Sequence, residues 1–258
     1  MRVLVCVKQV PDIDSPLGID AGTRWIDEKT PLAYRMNRYD EYALEEAVLI
    51  KEARVDVTID ALSVGPPRAS ATLKKSLEKG AHNAVHIEVE HAGYLSPLTT
   101  AALIAGYARG REYDLILTGV MAEDDMHCQV GPLLAALLGI PCAVSVIGET
   151  MNGENSTVTA ECELEGGLTE SILLPLPSLL AIQTGINRPR YPSLSNVLRA
   201  RDQEIIRIPC PEEKLPDAGE SLAAIEFPEK SSRGCVLEGT TEEKAARLMA
   251  ILHERAFL

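Results

Sequence analysis

Aromatic side chains are scarce in this sequence: Phe, Tyr and Trp together make up 4% of 258 residues, with a single tryptophan. A core must then be built from Leu, Ile, Val and Ala, which the 46% hydrophobic content supplies. Positive charge is also short, with 25 Lys and Arg against 38 Asp and Glu and a formal net charge of -13. That balance excludes nucleic acid and anionic membrane surfaces as expected partners, because both need clustered cations. No run approaches the ~20 apolar residues of a membrane span, so no membrane insertion is expected. The six cysteines, at 6, 128, 142, 162, 210 and 235, are scattered and form no CxxC pair. They read as reduced thiols of a cytoplasmic protein. The opening Met-Arg-Val-Leu-Val-Cys-Val is too short in its apolar run for a signal peptide and reads as a strand. Also missing are G-x-S-x-G, H-E-x-x-H, a P-loop lysine motif and a G-x-G-x-x-G after the first strand. Nothing here points to nucleophilic or metal-assisted catalysis.

What is present alternates. Apolar runs at 2–7, 55–64, 84–88, 114–118 and 142–146 predict strands, and 37–53, 69–79, 97–110 and 129–138 predict the helices between them. Within 37–53, Leu44, Ala47, Val48 and Lys51 recur at helical spacing, with Glu45 and Glu46 assigned to the wet side. Strands separated by helical crossovers imply an α/β fold with a doubly wound parallel sheet. After residue 150 the pattern changes. A turn at 152–155 precedes two alternating stretches, 157–163 and 168–174, which predict an antiparallel hairpin around Gly166 and Gly167. A core strand is expected at 176–182, then a polar, proline-bearing segment at 187–200 followed by a short helix. Residues 205–239 read as an extended arm. Thr240 and Glu243 form a capping box that opens a last amphipathic helix with Leu248, Ile251 and Leu252 on one face. The expected division is a nucleotide-binding α/β domain at 1–204, holding the hairpin, and a C-terminal arm and helix at 205–258.

The chemistry gathers in the loop "GVMAEDDMHCQVGP", 119–132. It lies between a buried strand and a helix whose first turn holds Pro132, at the carboxyl end of the strand, where open parallel sheets bind ligands. A helix start there offers free N–H groups and a partial positive charge that favour a phosphate. Asp124, Asp125, His127 and Cys128 are possible metal ligands, but their spacing matches no recurrent zinc or calcium pattern. A solvated acidic loop is the plainer alternative. Two further loops at strand ends join the candidate site. One holds Ser63, Val64 and Gly65, whose glycine lets a ligand approach the backbone. The other is the helix start at Asn37, where the Asn is a potential cap. Lys8, at the end of the first strand, reads as a solvent-facing strand end.

Four segments, "VLVCVKQVPD" at 3–12, "MNRYDEYALEEAVLIKE" at 36–52, "DLILTGVMAEDDMHCQVGPLLAALLGIP" at 114–141 and "NRPRYPSLSNVLRA" at 187–200, resemble in order and spacing the β subunit of electron transfer flavoprotein. The resemblance spans essentially the whole chain. It implies an adenine-nucleotide hydrolase-like α/β domain in a heterodimer: an electron carrier rather than an enzyme. The α subunit carries most of the FAD site, and β buries AMP while covering part of the flavin. Carried over by position, the AMP contacts are Cys6; Asn37, Arg38, Tyr39 and Asp40; Val64; and the run Gly119, Val120, Met121, Ala122, Glu123, Asp124, Asp125, Met126, His127, Cys128, Gln129 and Val130. The loop's backbone wraps the phosphate, with the acids mostly outward or bonded to ribose or backbone.

A docking segment for acyl-CoA dehydrogenases is implied at Arg190, Tyr191, Pro192, Ser193, Leu194, Ser195, Asn196, Val197 and Leu198, with Leu194 as the anchor. Glu163 matches an acid that orients the α subunit's mobile flavin domain. Electrons then pass to a quinone reductase or another acceptor. Bifurcating members of the family hold a second FAD in place of AMP. The end Val130-Gly131-Pro132 is like theirs, but Asp125 and His127 replace their glycine and threonine, so AMP is the expectation. A stand-alone nucleotide-binding stress-type module is the competing class, and it does not account for 187–200 or the C-terminal arm.

Overall fold

A computed structural model of the chain describes residues 1–20, 22, 25–27, 32–90, 93–153, 157–211, 220–227 and 234–255. In chain order, β1 (Arg2–Cys6) leads through the short antiparallel pair β2 (Gln9–Pro11) and β3 (Tyr34–Met36) into α1 (Arg38–Ala53). Then come β4 (Thr58–Gly65), α2 (Ser70–Lys79), β5 (Asn83–Glu88), α3 (Pro97–Ala108), β6 (Leu115–Gly119), α4 (Val130–Leu138) and β7 (Cys142–Asn152). The rest is β8 (Thr157–Glu163), β9 (Thr169–Pro175), β10 (Ser178–Ile182), α5 (Leu194–Arg201), β11 (Ile205–Pro209) and α6 (Thr241–Glu254).

Nine strands form one sheet in the order β11-β5-β4-β1-β6-β10-β7-β8-β9. Every pairing from β11 to β7 is parallel, and β7-β8-β9 is antiparallel. The chain winds outward from β1 through β4 to β5, then crosses back to β6 on the other side of β1. The order therefore reverses between β1 and β6, the place where doubly wound sheets open a crevice at their carboxyl ends.

The sheet is covered on both faces, which is why its inner strands show no polar alternation. In β1, Val3 and Val5 pack with Leu44 and Val48 of α1 and Leu73 and Leu77 of α2. Leu4 and Cys6 point the other way, into a second core with Ile104 of α3 and Leu134 of α4. Fully buried leucines such as Leu44, Leu73 and Leu134 each contribute about 1.5–3 kcal/mol of burial. Helix ends follow their local chemistry. Ser96 caps α3 by accepting from Thr99 N at 3.1 Å, with Pro97 next. Gly139 ends α4 at φ 70°, a left-handed turn that glycine adopts without strain.

The expected hairpin forms as β8 and β9, and it joins the main sheet because β7 runs on to Asn152 and its second half pairs with β8. Ser145, at φ 54°, and the register shifts around Val146 mark where β7 leaves its parallel neighbour for the antiparallel one. The short helix expected after 200 is α5, inside the 187–200 segment, capped by Ser193. Residues 205–209, read as the root of the arm, form the edge strand β11, because Ile205 and Ile208 have apolar surface to pack against the two cores. Glu45 and Glu46 are buried at 5% and 7% exposure, not wet. Parts of the expected turn at 152–155 and of the arm, at 154–156, 212–219 and 228–233, lie outside the described residues. A second unit, Glu226–Leu258, carries α6. Its capping box is formed, with Thr240 accepting from Glu243 N at 3.3 Å and Glu243 accepting from Thr240 N at 2.8 Å.

Candidate functional site

Asp40, in the first turn of α1, joins the two strands that flank the switch point. Its carboxylate accepts from Lys8 N at 2.7 Å and from Gly119 N at 3.1 Å. The group is buried, and burial pushes its carboxyl up to about 7 against the pull of those hydrogen bonds. Gly119 is required for this contact: a Cβ there would lie 2.4 Å from Asp40 Oδ1 and 2.6 Å from Tyr39 Cβ.

The loop is stitched to the start of α1. Asn37 sits at the N-cap, yet its side chain makes no capping bond. Instead Asn37 Nδ2 donates to Met121 O at 2.8 Å and Glu123 N donates to Asn37 Oδ1 at 3.1 Å. The Glu123 carboxylate accepts from Arg38 N at 3.1 Å and from the Arg35 guanidinium at 3.0 Å. Val120 N donates to Ile182 O, and Met126 N to Ala122 O. Met126 and Cys128 take positive φ values of 54° and 57°, a conformation L-residues rarely adopt.

Lys8 is the residue whose role sequence reading missed. Its ammonium lies 2.8 Å from Asp124 Oδ1 and 2.8 Å from Asp125 Oδ2. Burial works against the charged lysine, but the two carboxylates outweigh it and the net shift is upward. The acids therefore turn toward the end of β1 rather than outward, and Asp125 also accepts from His127 N at 3.1 Å. No spacing rule links positions 8 and 124; the only available signal was that both lie at carboxyl strand ends.

The loop then enters α4 through Gln129 with no side-chain cap, which leaves the first N–H groups of Val130 and its neighbours to other acceptors. Beside this end is Thr118, 4% exposed, whose Oγ1 has no hydrogen-bond partner among the described residues. A Cβ on Gly131 would come within 2.8 Å of that oxygen.

One cleft unites these groups. Cys6, Lys8, Asp40, Val64, Thr118, Asp124 and Asp125 line it, together with Arg68 and the rings of Trp25, Tyr34 and Tyr94. The Cys6 thiol is pushed up by burial and stays protonated. No group of three His, Cys, Asp or Glu among the described residues is placed to hold a metal. The cleft sets aromatic and apolar walls beside two cations and three carboxylates, and among the described residues it contains no nucleophile paired with a base.

The other singled-out residues lie elsewhere. Arg190 grips α1: its backbone N–H and Nε reach the two Glu45 oxygens at 3.0 and 2.8 Å, and its two terminal nitrogens pair with Glu52. Those bonds, Glu52 first, raise the Arg190 guanidinium further and lower the Glu52 carboxyl. Asn187 donates to Glu46 at 2.7 Å. These partners are why Glu45 and Glu46 are tolerated in the interior. From this anchor the segment presents Tyr191 at 95% and Leu194 at 74% exposure, beside Pro192, Ser195, Asn196, Val197 and Leu198 at the start of α5. Glu163 is exposed at the hairpin end of β8, 3.4 Å from Gln183 Nε2.

The family model described as "Electron transfer flavoprotein domain" matches residues 28–213. Three curated proteins named "Electron transfer flavoprotein subunit beta" align nearly end to end. That of Bacillus subtilis is 33% identical over 99% of both chains. That of Methylophilus methylotrophus is 31% identical over 98% of both, and that of Bos taurus 32% over 97% of this chain and 98% of its own. Among the described residues no helix is long and apolar enough to cross a membrane. With the switch-point cleft and the nearly full-length identity together, the chain belongs to the electron transfer flavoprotein β-subunit family.

Proposed function

We propose that this chain is the β subunit of a heterodimeric electron transfer flavoprotein, with an adenosine monophosphate in the switch-point cleft and an FAD held mainly by the α subunit. The observation that carries the nucleotide is the buried Thr118 Oγ1, without a partner among the described residues, beside the uncapped start of α4. A hydroxyl without a partner in the interior costs about 1–3 kcal/mol, and a phosphate at that helix end supplies the acceptor that Thr118 and the free N–H groups need. Lys8 adds a cation, although Asp124 and Asp125 already share it. The net charge near the phosphate favours one phosphate over the pyrophosphate of a second FAD. The AMP has no redox chemistry, so its role is structural: a ligand bound only by the folded state stabilises it by about 3–4 kcal/mol at a hundred to a thousand times its Kd. The FAD supplies the electron-accepting chemistry. The residues of this chain bind the nucleotide, tie the loop to α1 and present the docking segment.

The test is to purify the complex with its α subunit, denature it and separate the released nucleotides by chromatography. One AMP and one FAD per heterodimer are expected. Two FAD and no AMP would overturn the reading in favour of a bifurcating protein, and a colourless ATP-binding homodimer would favour the stand-alone module.

Acyl-CoA dehydrogenases are the proposed electron donors, docking on Leu194. An exposed leucine framed by polar residues and held on a rigid anchor has the form of an interface hot spot. Leu194→Ala is expected to slow transfer from the dehydrogenase and leave the flavin spectrum unchanged. Glu163 is proposed to bias the α subunit's flavin domain; if small-angle scattering of the heterodimer is the same for Glu163→Ala, that role is lost. The α6 helix, with Leu248, Ile251 and Leu252 on one side, is proposed to pack on the α subunit.

A further inference from the structure

The chain holds one tryptophan, seven tyrosines and two phenylalanines, yet three of these rings, Trp25, Tyr34 and Tyr94, line the one cleft. Neither Trp25 nor Tyr94 belongs to either hydrophobic core. Both rings lie instead on the wall of the cleft, where an aromatic face is available to a planar ligand. Their positions are held in place. A β-bridge between Ile19 and Ile26, with Asp20 N donating to Trp25 O at 2.8 Å, fixes the backbone that carries Trp25. Tyr94 meets Trp25 edge-on, with ring centroids 5.8 Å apart. Its hydroxyl donates to Glu220 Oε1 at 3.0 Å and lies 3.4 Å from His127 Nε2 in the phosphate loop. The third ring differs, because the Arg68 guanidinium covers a face of Tyr34 at 4.0 Å from its centroid.

We propose that Trp25 and Tyr94 form the wall against which the base of the bound nucleotide stacks, so that this pair makes the cleft selective for purine nucleotides over base-free sugar phosphates. The proposal rests on the nucleotide reading above and names the part of the ligand that reading left unassigned. Purines gain more than pyrimidines from the wall because they cover more ring area. Pre-ordering by the bridge and by the Glu220 and His127 contacts lowers the entropy lost on binding. Tyr94 also links base recognition to the phosphate loop through His127.

The test refolds the heterodimeric complex from denaturant with FAD and graded AMP, UMP or ribose 5-phosphate, and reads the concentration at which half the complexes retain the added ligand. In the wild type, AMP should be retained at lower concentration than UMP, and UMP at lower concentration than ribose 5-phosphate. Trp25→Leu and Tyr94→Leu should each raise the AMP value roughly ten- to a hundredfold, the range carried by one base–ring stack, with ribose 5-phosphate unchanged. Tyr94→Phe, which keeps the ring but loses the hydroxyl contacts that pre-order it, should fall between the wild type and Tyr94→Leu. A wild type that retains AMP while both leucine variants retain it equally well overturns the base wall alone. So does an equal loss for AMP and ribose 5-phosphate, or a Tyr94→Phe that falls as far as Tyr94→Leu. A wild type that retains no AMP overturns the nucleotide reading and the wall with it.

Discussion

Two buried aspartates sit at opposite ends of the same parallel strands and are satisfied in opposite ways. At the amino ends, Asp60 accepts from Asn83 Nδ2 at 2.7 Å, the Tyr113 hydroxyl at 2.7 Å and the Arg2 guanidinium at 3.0 Å. These are side chains from three neighbouring stretches, and Arg2 also lies over the Tyr113 ring. At the carboxyl ends, Asp40 receives the backbone N–H groups of Lys8 and Gly119, and its carboxyl is pushed up to about 7. Close by, Thr118 Oγ1 has no hydrogen-bond partner among the described residues. Around Asp60 the amino end is thus closed by side chains that act as a lock. The carboxyl end is held together by backbone while polar groups remain unspent. A parallel sheet makes this asymmetry available, because all its strands end on the same side.

The largest effect expected from breaking the comparison is at the lock. Asp60→Ala leaves Asn83 and Tyr113 without their acceptor, and a loss of about 3 kcal/mol in unfolding free energy is expected from two such groups. Denaturant unfolding measures it, and a loss under ~1 kcal/mol would mean that the amino end is no lock. The next effect is at the open end. Lys8→Met leaves Asp124 and Asp125 uncompensated beside the phosphate position. AMP retention should weaken by about tenfold, the size of one charge-assisted bond. The unfolding free energy without nucleotide should move by ~1 kcal/mol or less, because the lysine is partly exposed. If stability falls while AMP retention holds, Lys8 belongs to the fold and not to the site.

The last effect is a slope with pH rather than a fixed difference. Because Asp40's folded value lies above the ordinary 3.8, protonation favours the folded state. Its contribution is complete below pH ~4 and fades as pH rises through about 7. Asp40→Asn should remove one group's share of the stability lost between pH 5 and 7, at most ~1.4 kcal/mol per pH unit. Glu149 is the control. Burial and then Glu46 also raise it to about 7, so Glu149→Gln should take away a similar share. A slope untouched by either variant would place the titration elsewhere.

The periodic part of the fold was legible. β1, α1, β4, α2, β5, α3, β6 and α4 all fall within a few residues of the runs that predict them, because a strand covered on both faces and a helix covered on one each impose their own spacing on apolar residues. The position of the loop 119–132 was legible for the same reason: it lies at a carboxyl strand end, between β6 and α4. What the pattern concealed were partnerships between residues far apart in the chain. Glu45 and Glu46 read as a wet helix face, yet Arg190 and Asn187, some 145 and 141 positions away, bring hydrogen bonds that let them sit inside. β11 looked like an arm because an edge strand needs a neighbour, and β5 lies more than a hundred residues earlier.

The chain's own order of apolar and polar residues therefore sufficed for the doubly wound sheet, the helix boundaries at Ser96, Gly139 and Thr240, and the end of the sheet at which the loop 119–132 lies, because each depends on interactions within a few turns or one strand. Tertiary packing alone turned Asp124 and Asp125 toward Lys8, brought Asp40 against Gly119 and set Trp25 against Tyr94. Charges and rings separated by tens of residues meet only after the crossovers have closed, and no local spacing encodes which of them will face one another.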